Sequence, residues 1–252
     1  MCITDGNLAW IATMGGRANM PADHPLNIGP VGVTGSDSAN AVAAKADVII
    51  AVGTRLQDFT TGSWTAFAKD AQIVGVNVGR HDAMKHMSAP VVGDAKVALT
   101  DLQRALKALA VDRSWTEFAQ SERAKWGAYV AKNVASGNRV NSYAQAIGVV
   151  NDLCDPRDRV VAAAGGLPAE VTANWRTKDI GTVDVEFGFS CMGYEIAGGW
   201  GARIAQSQRE PDKDTIVFCG DGSYMLINAA ISSSVLTCTQ LVVLVLDTGG
   251  FA

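Results

Sequence analysis

Five apolar runs, at 47–53, 73–78, 159–164, 215–219 and 241–246, constrain this chain more than any other feature. They read DVIIAVG, IVGVNV, RVVAAA, TIVFC and LVVLVL, and each ends at a glycine or a small polar turn. Near-continuous apolar runs of this length, rich in valine and isoleucine, are what strands buried on both faces require. Helix-like segments lie between them. Alternation of such strands with helices specifies an α/β fold, a parallel sheet covered by helices on both sides. We therefore expect two doubly wound parallel-sheet units. In a parallel sheet every strand ends on the same edge, and that edge is where open α/β sheets bind ligands.

Taken in order, 8–13 is a short strand candidate released by Gly15-Gly16, and 21–35, with its prolines and glycines, reads as an ordered loop. Ser36 and Ser38 are N-cap candidates for a helix over 39–46. The run 47–53 reads as a fully buried strand and 73–78 as another, with a polar helical or irregular piece between them. Asp94 is placed to cap a helix reaching 109, whose Val97, Leu99, Leu102, Leu106 and Leu109 fall near one face. Ser114-Trp115-Thr116-Glu117 has a capping-box pattern that opens a charged helix to about 134, and Ser136-Gly137-Asn138 breaks it. This predicts a first unit over 1–112, a helical connector over 113–140 and a second unit over 141–252. The second unit starts with a helix over 142–153 and the strand 159–164, and Gly165-Gly166-Leu167-Pro168 opens a helix to about Trp175. A strand over 182–187 leads to Gly188-Phe189-Ser190-Cys191-Met192-Gly193 and a small-residue helix over 194–205. The strand 215–219, a helix over 225–237 and a second buried strand over 241–246 complete it.

Composition narrows the function. A hydrophobic content of 48% with 18% charged residues fits a soluble globular protein with a substantial core. The net charge of −4, with no cluster of Lys or Arg, argues against nucleic-acid or anionic-membrane partners. No apolar run approaches the roughly 20 residues of a membrane span, and the first residues do not make a signal peptide. The cysteines at 2, 154, 191, 219 and 238 are scattered without a CxxC pair. Reduced thiols and a cytoplasmic setting are expected. Gly29-Pro30-Val31-Gly32-Val33-Thr34-Gly35 is not the dinucleotide fingerprint. His24, His81 and His86 lack metal-ligand spacing, the segment 188–193 is not a nucleophile elbow, and Trp64 is read as a packing residue.

The chemistry concentrates at Gly220-Asp221-Gly222-Ser223. By itself the turn reads first as an ordinary strand-to-helix junction with Asp as N-cap. A helix and a strand later comes Asp247-Thr248-Gly249-Gly250, which a parallel sheet returns to the same edge. Asp221, the Thr248 hydroxyl and the Gly250 carbonyl then form the protein side of an octahedral Mg²⁺ site, with phosphate oxygens and water filling it. Glycines beside the Asp let backbone N–H groups approach a diphosphate.

These two segments together resemble the diphosphate–Mg²⁺ motif of thiamin-diphosphate enzymes, which reads GDG, about two dozen residues, then Asn. The resemblance extends to His24-Pro25-Leu26, Asp47-Val48-Ile49-Ile50-Ala51-Val52-Gly53 and Val91-Val92-Gly93-Asp94-Ala95-Lys96, which match the family's middle domain. It implies the cofactors thiamin diphosphate and Mg²⁺. It implies that Asp221, Thr248 and Gly250 hold the metal and that Gly220, Gly222 and Ser223 lie at the diphosphate. It places Cys191 and Met192 at the cofactor, with Met192 wedged between its rings, and Gly165, Gly166 and Leu167 near its aminopyrimidine end. The runs 29–35, 53–64 and 186–198 resemble the branch that hydrolyses a C–C bond in a cyclic 1,2-dione during inositol breakdown. That branch implies a small cyclic dione as substrate and a homo-oligomer with sites shared between subunits. The alternatives at this stage are another reaction of the family, such as acetolactate synthesis, and a non-catalytic fragment or scaffold.

Two departures from the family pattern matter. Thr248 stands where the family has Asn, and a hydroxyl is a weaker neutral ligand than an amide carbonyl. The family's pyrimidine-binding domain, whose glutamate protonates the aminopyrimidine, finds no counterpart here. Both units are accordingly expected to be partial, the first at its start and the second at its end, and the 252-residue chain is expected to be inactive alone.

Overall fold

The computed structural model describes residues 9–106, 112–137, 139–186 and 188–250. The chain divides into two compact units, one made of the chain up to Thr13 with Pro25–Gly127, the other of Met14–His24 with Ala128–Ala252. Among the described residues no helix is long and apolar enough to cross a membrane.

The first unit is built on parallel pairs. Strand β1 (Trp10–Ala12) pairs with β2 (Asn27–Pro30), inside the stretch expected to be a loop. Helix α1 (Asp37–Ala43) follows, with Ser36 as N-cap accepting the N–H of Ala39. Strand β3 (Val48–Val52), the short α2 (Asp58–Thr61), β4 (Gln72–Asn77), the one-turn α3 (Arg80–Ala83) and β5 (Ala89–Val92) give a parallel sheet in the order β3-β4-β5. β3 is an edge strand of that sheet and Val48 is 55% exposed, so the expectation of a fully buried strand fails. β5 escaped the sequence reading because Pro90 interrupts its pattern, and Pro is tolerated on a sheet edge. Helix α4 (Ala95–Ala105) is capped by Asp94, whose carboxylate accepts the N–H groups of Lys96 and Val97. Its expected continuation through Leu109 lies partly outside the described residues.

Helix α5 (Arg113–Val134) starts one residue ahead of the expected capping box. Asp112 accepts the N–H of Ser114, while Glu117 pairs with Arg113 four residues back. The first half of this helix does more than connect. Trp115, Phe118 and the buried Ala119 pack on Ile28 and Val42.

The second unit contains α6 (Tyr143–Leu153), β6 (Arg159–Ala162), α7 (Gly166–Asn174), β7 (Val183–Val185), α8 (Tyr194–Ser207), β8 (Thr215–Gly220), α9 (Asp221–Ile227), α10 (Ala229–Leu236) and β9 (Val242–Leu246). Its four-stranded sheet is parallel throughout, in the order β7-β6-β8-β9. β8 is its central apolar strand, with Val217 at 0% and Phe218 at 1% exposure. One core lies under α6 and α7, where Ile147, Leu167, Val171 and Trp175 meet Val160, Ile216 and Phe218. On the other face Ile196 of α8 meets Val161 and Val217. β9 was expected to be buried, but it is an edge strand of this sheet and half-exposed, with Val245 at 40%. The helix expected over 225–237 begins earlier, at Asp221, directly from the end of β8.

Candidate functional site

The order β7-β6-β8-β9 reverses direction once. From β6 the chain moves outward to β7, then crosses back past β6 to β8 and on to β9. The carboxyl ends of β6 and β8 therefore flank a switch point, where connections leave in opposite directions and a crevice opens. Four turns meet at this edge. Gly165-Gly166 follows β6, the loop 188–193 follows β7, Gly220-Asp221 follows β8, and Asp247 to Gly250 follows β9. Gly220 and Leu246 are register partners, which sets Asp221 and Asp247 side by side at the strand ends.

Asp221 is the hub of the β8–β9 corner. The Gly250 N–H donates to its Oδ2 at 2.7 Å, and the Thr248 hydroxyl lies 3.4 Å from its Oδ1. Thr248 Oγ1 is also 3.1 Å from the Gly250 carbonyl oxygen. Asp247 turns back on its own loop and accepts the N–H of Gly249 at 2.9 Å. Burial alone would raise the Asp221 carboxyl, but the N–H groups of Gly250, Gly222 and Thr248 and the Thr248 hydroxyl outweigh it and hold the group below the usual carboxylate range. It is an anion at neutral pH.

Asp221 Oδ1, Thr248 Oγ1 and Gly250 O are all hard oxygens. Adjacent ligands of an octahedral Mg²⁺ at ~2.1 Å stand about 3 Å apart, and these spacings fall close to that. The donor set fits the ion. Among the described residues no cluster of three or more His, Cys, Asp or Glu forms a rival centre.

The other expected site residues divide. Gly165 and Gly166 are exposed at the edge, and Gly165 holds φ +81° with open space where a side chain would be. Leu167 turns its side chain inward. It is 3% exposed and packs into the core under α7, because the first turn of that helix already faces the sheet. Cys191 and Met192 are exposed on the β7 loop, Met192 at 50%. Ser223 is 6% exposed, and its hydroxyl points inward to Glu195 rather than out to a ligand. Any diphosphate contact there falls to its main-chain N–H.

Two carboxylates to which the sequence assigns no site role organise this edge. Glu186 accepts the N–H of Phe189 and of Cys191, each at 2.9 Å. Burial works to raise its carboxyl, but the N–H groups of Cys191, Phe189, Gly188 and Ser190 prevail and lower it. Glu195, 1% exposed in the first turn of α8, accepts the N–H of Gly193 at 2.8 Å, the N–H of Ala164 at 3.2 Å and the Ser223 hydroxyl at 2.9 Å. Burial, and then the Glu195 charge, push the Cys219 thiol up to about 12, so that cysteine is an inert part of β8. The available signal was a lone acid in an otherwise small and apolar helix start, Tyr194-Glu195-Ile196-Ala197-Gly198.

Comparison with known proteins bears on the same elements. Residues 3–102 match the thiamine pyrophosphate enzyme central domain, and residues 163–252 match the C-terminal TPP binding domain of those enzymes. Among curated relatives, a 3D-(3,5/4)-trihydroxycyclohexane-1,2-dione hydrolase of Geobacillus thermodenitrificans is 34% identical over 97% of this chain and 41% of its own length. The protein of the same name from Clostridium perfringens is 31% identical, over 97% of this chain and 42% of its own. One from Bacillus cereus is 33% identical, over 95% and 40%. The chain thus spans about two fifths of the length of the relatives it matches.

Proposed function

Because this chain belongs to the thiamine pyrophosphate enzymes, carrying their central and C-terminal domains, we propose that its second unit holds the diphosphate end of thiamin diphosphate through Mg²⁺. We propose further that the protein hydrolyses a C–C bond in a cyclic 1,2-dione, trihydroxycyclohexane-1,2-dione, in inositol catabolism. The observation that carries the cofactor reading is the meeting of Asp221 Oδ1, Thr248 Oγ1 and the Gly250 carbonyl at one corner of the sheet. The substrate reading rests on the names of the relatives.

When bound, the thiazolium ring supplies the carbon nucleophile that makes cleavage beside a carbonyl accessible. The residues of this chain bind and orient it. Asp221, Thr248 and the Gly250 carbonyl hold the metal, and the backbone of Gly220 and Gly222 lies beside them for phosphate oxygens. Met192, presented by the β7 loop, supplies the apolar surface against which the cofactor bends. Gly165 and Gly166 leave room beyond it. The setting we propose is cytoplasmic, in a homo-oligomer whose subunits share their sites, which the exposed Phe189, Met225 and Leu226 support.

Isothermal calorimetry of the 252-residue chain with thiamin diphosphate tests the cofactor reading. Binding should need Mg²⁺, and Asp221→Ala should weaken it by at least ~10-fold, since a charged ligand is removed. Equal binding by both forms removes Asp221 from the site. The reaction is tested in the full-length enzyme by supplying the dione and pyruvate separately. Turnover of pyruvate and not of the dione refutes the hydrolase reading.

A further inference from the structure

Glu195 is a buried carboxylate, 1% exposed. Among the described residues no Lys or Arg forms an ion pair with it. Its partners are the Ala164 N–H at Oε1, the Gly193 N–H at Oε2, and the Ser223 hydroxyl within 2.9 Å of both oxygens. The Gly193 N–H also reaches Ser223 Oγ at 2.8 Å, which closes a ring of bonds. Burying a carboxylate is costly, and a well-packed apolar side chain of similar size usually serves stability as well or better. The neighbouring Ile196 is 0% exposed, so this helix start accommodates apolar side chains. Stability alone does not call for a glutamate here.

The placement of the three donors does. Ala164 immediately precedes Gly165, Gly193 immediately follows Met192, and Ser223 lies two residues beyond Asp221. Each bond ends one or two residues from a position at the proposed cofactor site, on three different strand ends. We propose that Glu195 is a positioning residue of that site: its carboxylate ties the turns after β6, β7 and β8 into one block and so fixes the spacing of Gly165, Met192 and Asp221. The inference rests on the cofactor reading above and deepens it. All three partners are donors, so the position requires an acceptor at both oxygens. A glutamine of the same shape turns an NH₂ group against an N–H or an O–H and opens one side of the block. Gly193 leaves little slack for the loop to adapt, with φ +92° and the Ile227 Cγ2 atom 2.8 Å from where a Cβ would stand.

The test is calorimetric titration of the chain with thiamin diphosphate at saturating Mg²⁺, comparing wild type, Glu195→Gln, Ser223→Ala and Ile147→Ala. The last variant opens a cavity in the same unit's core and controls for general loss of stability. Glu195→Gln should weaken affinity about 10-fold or more, in the range found when the groups that orient metal-site residues are changed. Ser223→Ala should weaken it less, and Ile147→Ala should leave it within about 2-fold at a comparable fall in Tm. Hydrogen exchange at the Ala164 and Gly193 amides should accelerate in Glu195→Gln and not in Ile147→Ala. Wild-type affinity in Glu195→Gln overturns the inference, as does a loss no larger than that of Ile147→Ala. Should Glu195→Gln fail to fold, Ser223→Ala decides, and unchanged affinity there overturns the inference. Failure of the wild type itself to bind the cofactor refutes the underlying reading and this inference with it.

Discussion

Asp221, Glu186 and Glu195 differ in how far the sequence reveals them. Asp221 was legible because two glycines flank it at the end of an apolar run, and a second polar turn recurs one helix and one strand later. Glu186 and Glu195 were not, because their partners are backbone N–H groups and, for Glu195, also the hydroxyl of the distant Ser223, which no local side-chain pattern records. Glu186 makes a prediction of its own. Its carboxyl is held below the ordinary value by the N–H groups of the loop it clasps, against the upward push of burial. A depressed folded-state pKa stabilises the clasped loop fully above the unfolded value, ~4.3 for Glu, and that stabilisation is lost as pH falls through the folded value. The amide resonances of Gly188, Phe189, Ser190 and Cys191 should therefore stay flat from pH 7 to about 5, then move together with a midpoint below ~4.3. A midpoint at or above that value would mean that the N–H groups do not govern this carboxylate.

At the scale of elements, what could be read was whatever burial on two faces imposes on a strand. β8 stands between β6 and β9 with helices on both faces, and its apolar run marks it clearly. β2 and β5 were missed because Gly29, Pro30 and Pro90 interrupt patterns that pairing in space still satisfies. The start of α5 differs from the expected one because Asp112 caps it ahead of the Ser-x-x-Glu pattern that follows. Helix α8 offers a quantitative check of how tightly an element seats on the sheet. A Cβ at Gly199 would collide with Val217 Cγ2 of β8, whereas at Gly201 nothing stands within 4 Å. Gly199→Ala should therefore destabilise by ~1–3 kcal/mol through overpacking. Gly201→Ala, two residues along the same helix and exposed, should stabilise by ~0.5–1 kcal/mol through helix propensity. Urea unfolding of both variants measures the pair, and shifts of the same sign would contradict this account of how α8 is seated.

For the whole molecule, the question is which part of the reaction this chain equips. Among the described residues, four carboxylates at the carboxyl edge of the second unit's sheet accept main-chain N–H groups. Asp221 receives the Gly250 N–H, Asp247 the Gly249 N–H, Glu186 the N–H groups of Phe189 and Cys191, and Glu195 those of Ala164 and Gly193. For Asp221 and Glu186 the N–H groups prevail over burial and lower the carboxyl, which makes these two poor proton donors near neutral pH. Under the proposed function these two carboxylates anchor and orient, and do not move the protons that activate a thiazolium ring. The 252-residue chain should bind thiamin diphosphate with Mg²⁺ and yet leave its C2 proton exchanging with D₂O no faster than in the free cofactor, as read by proton NMR after acid quench. The full-length enzyme should accelerate that exchange by ~10²-fold or more, the lower range for a positioned acid–base group. Acceleration by the 252-residue chain alone would place an acid–base group within these two units and undo the assignment of its carboxylates to positioning.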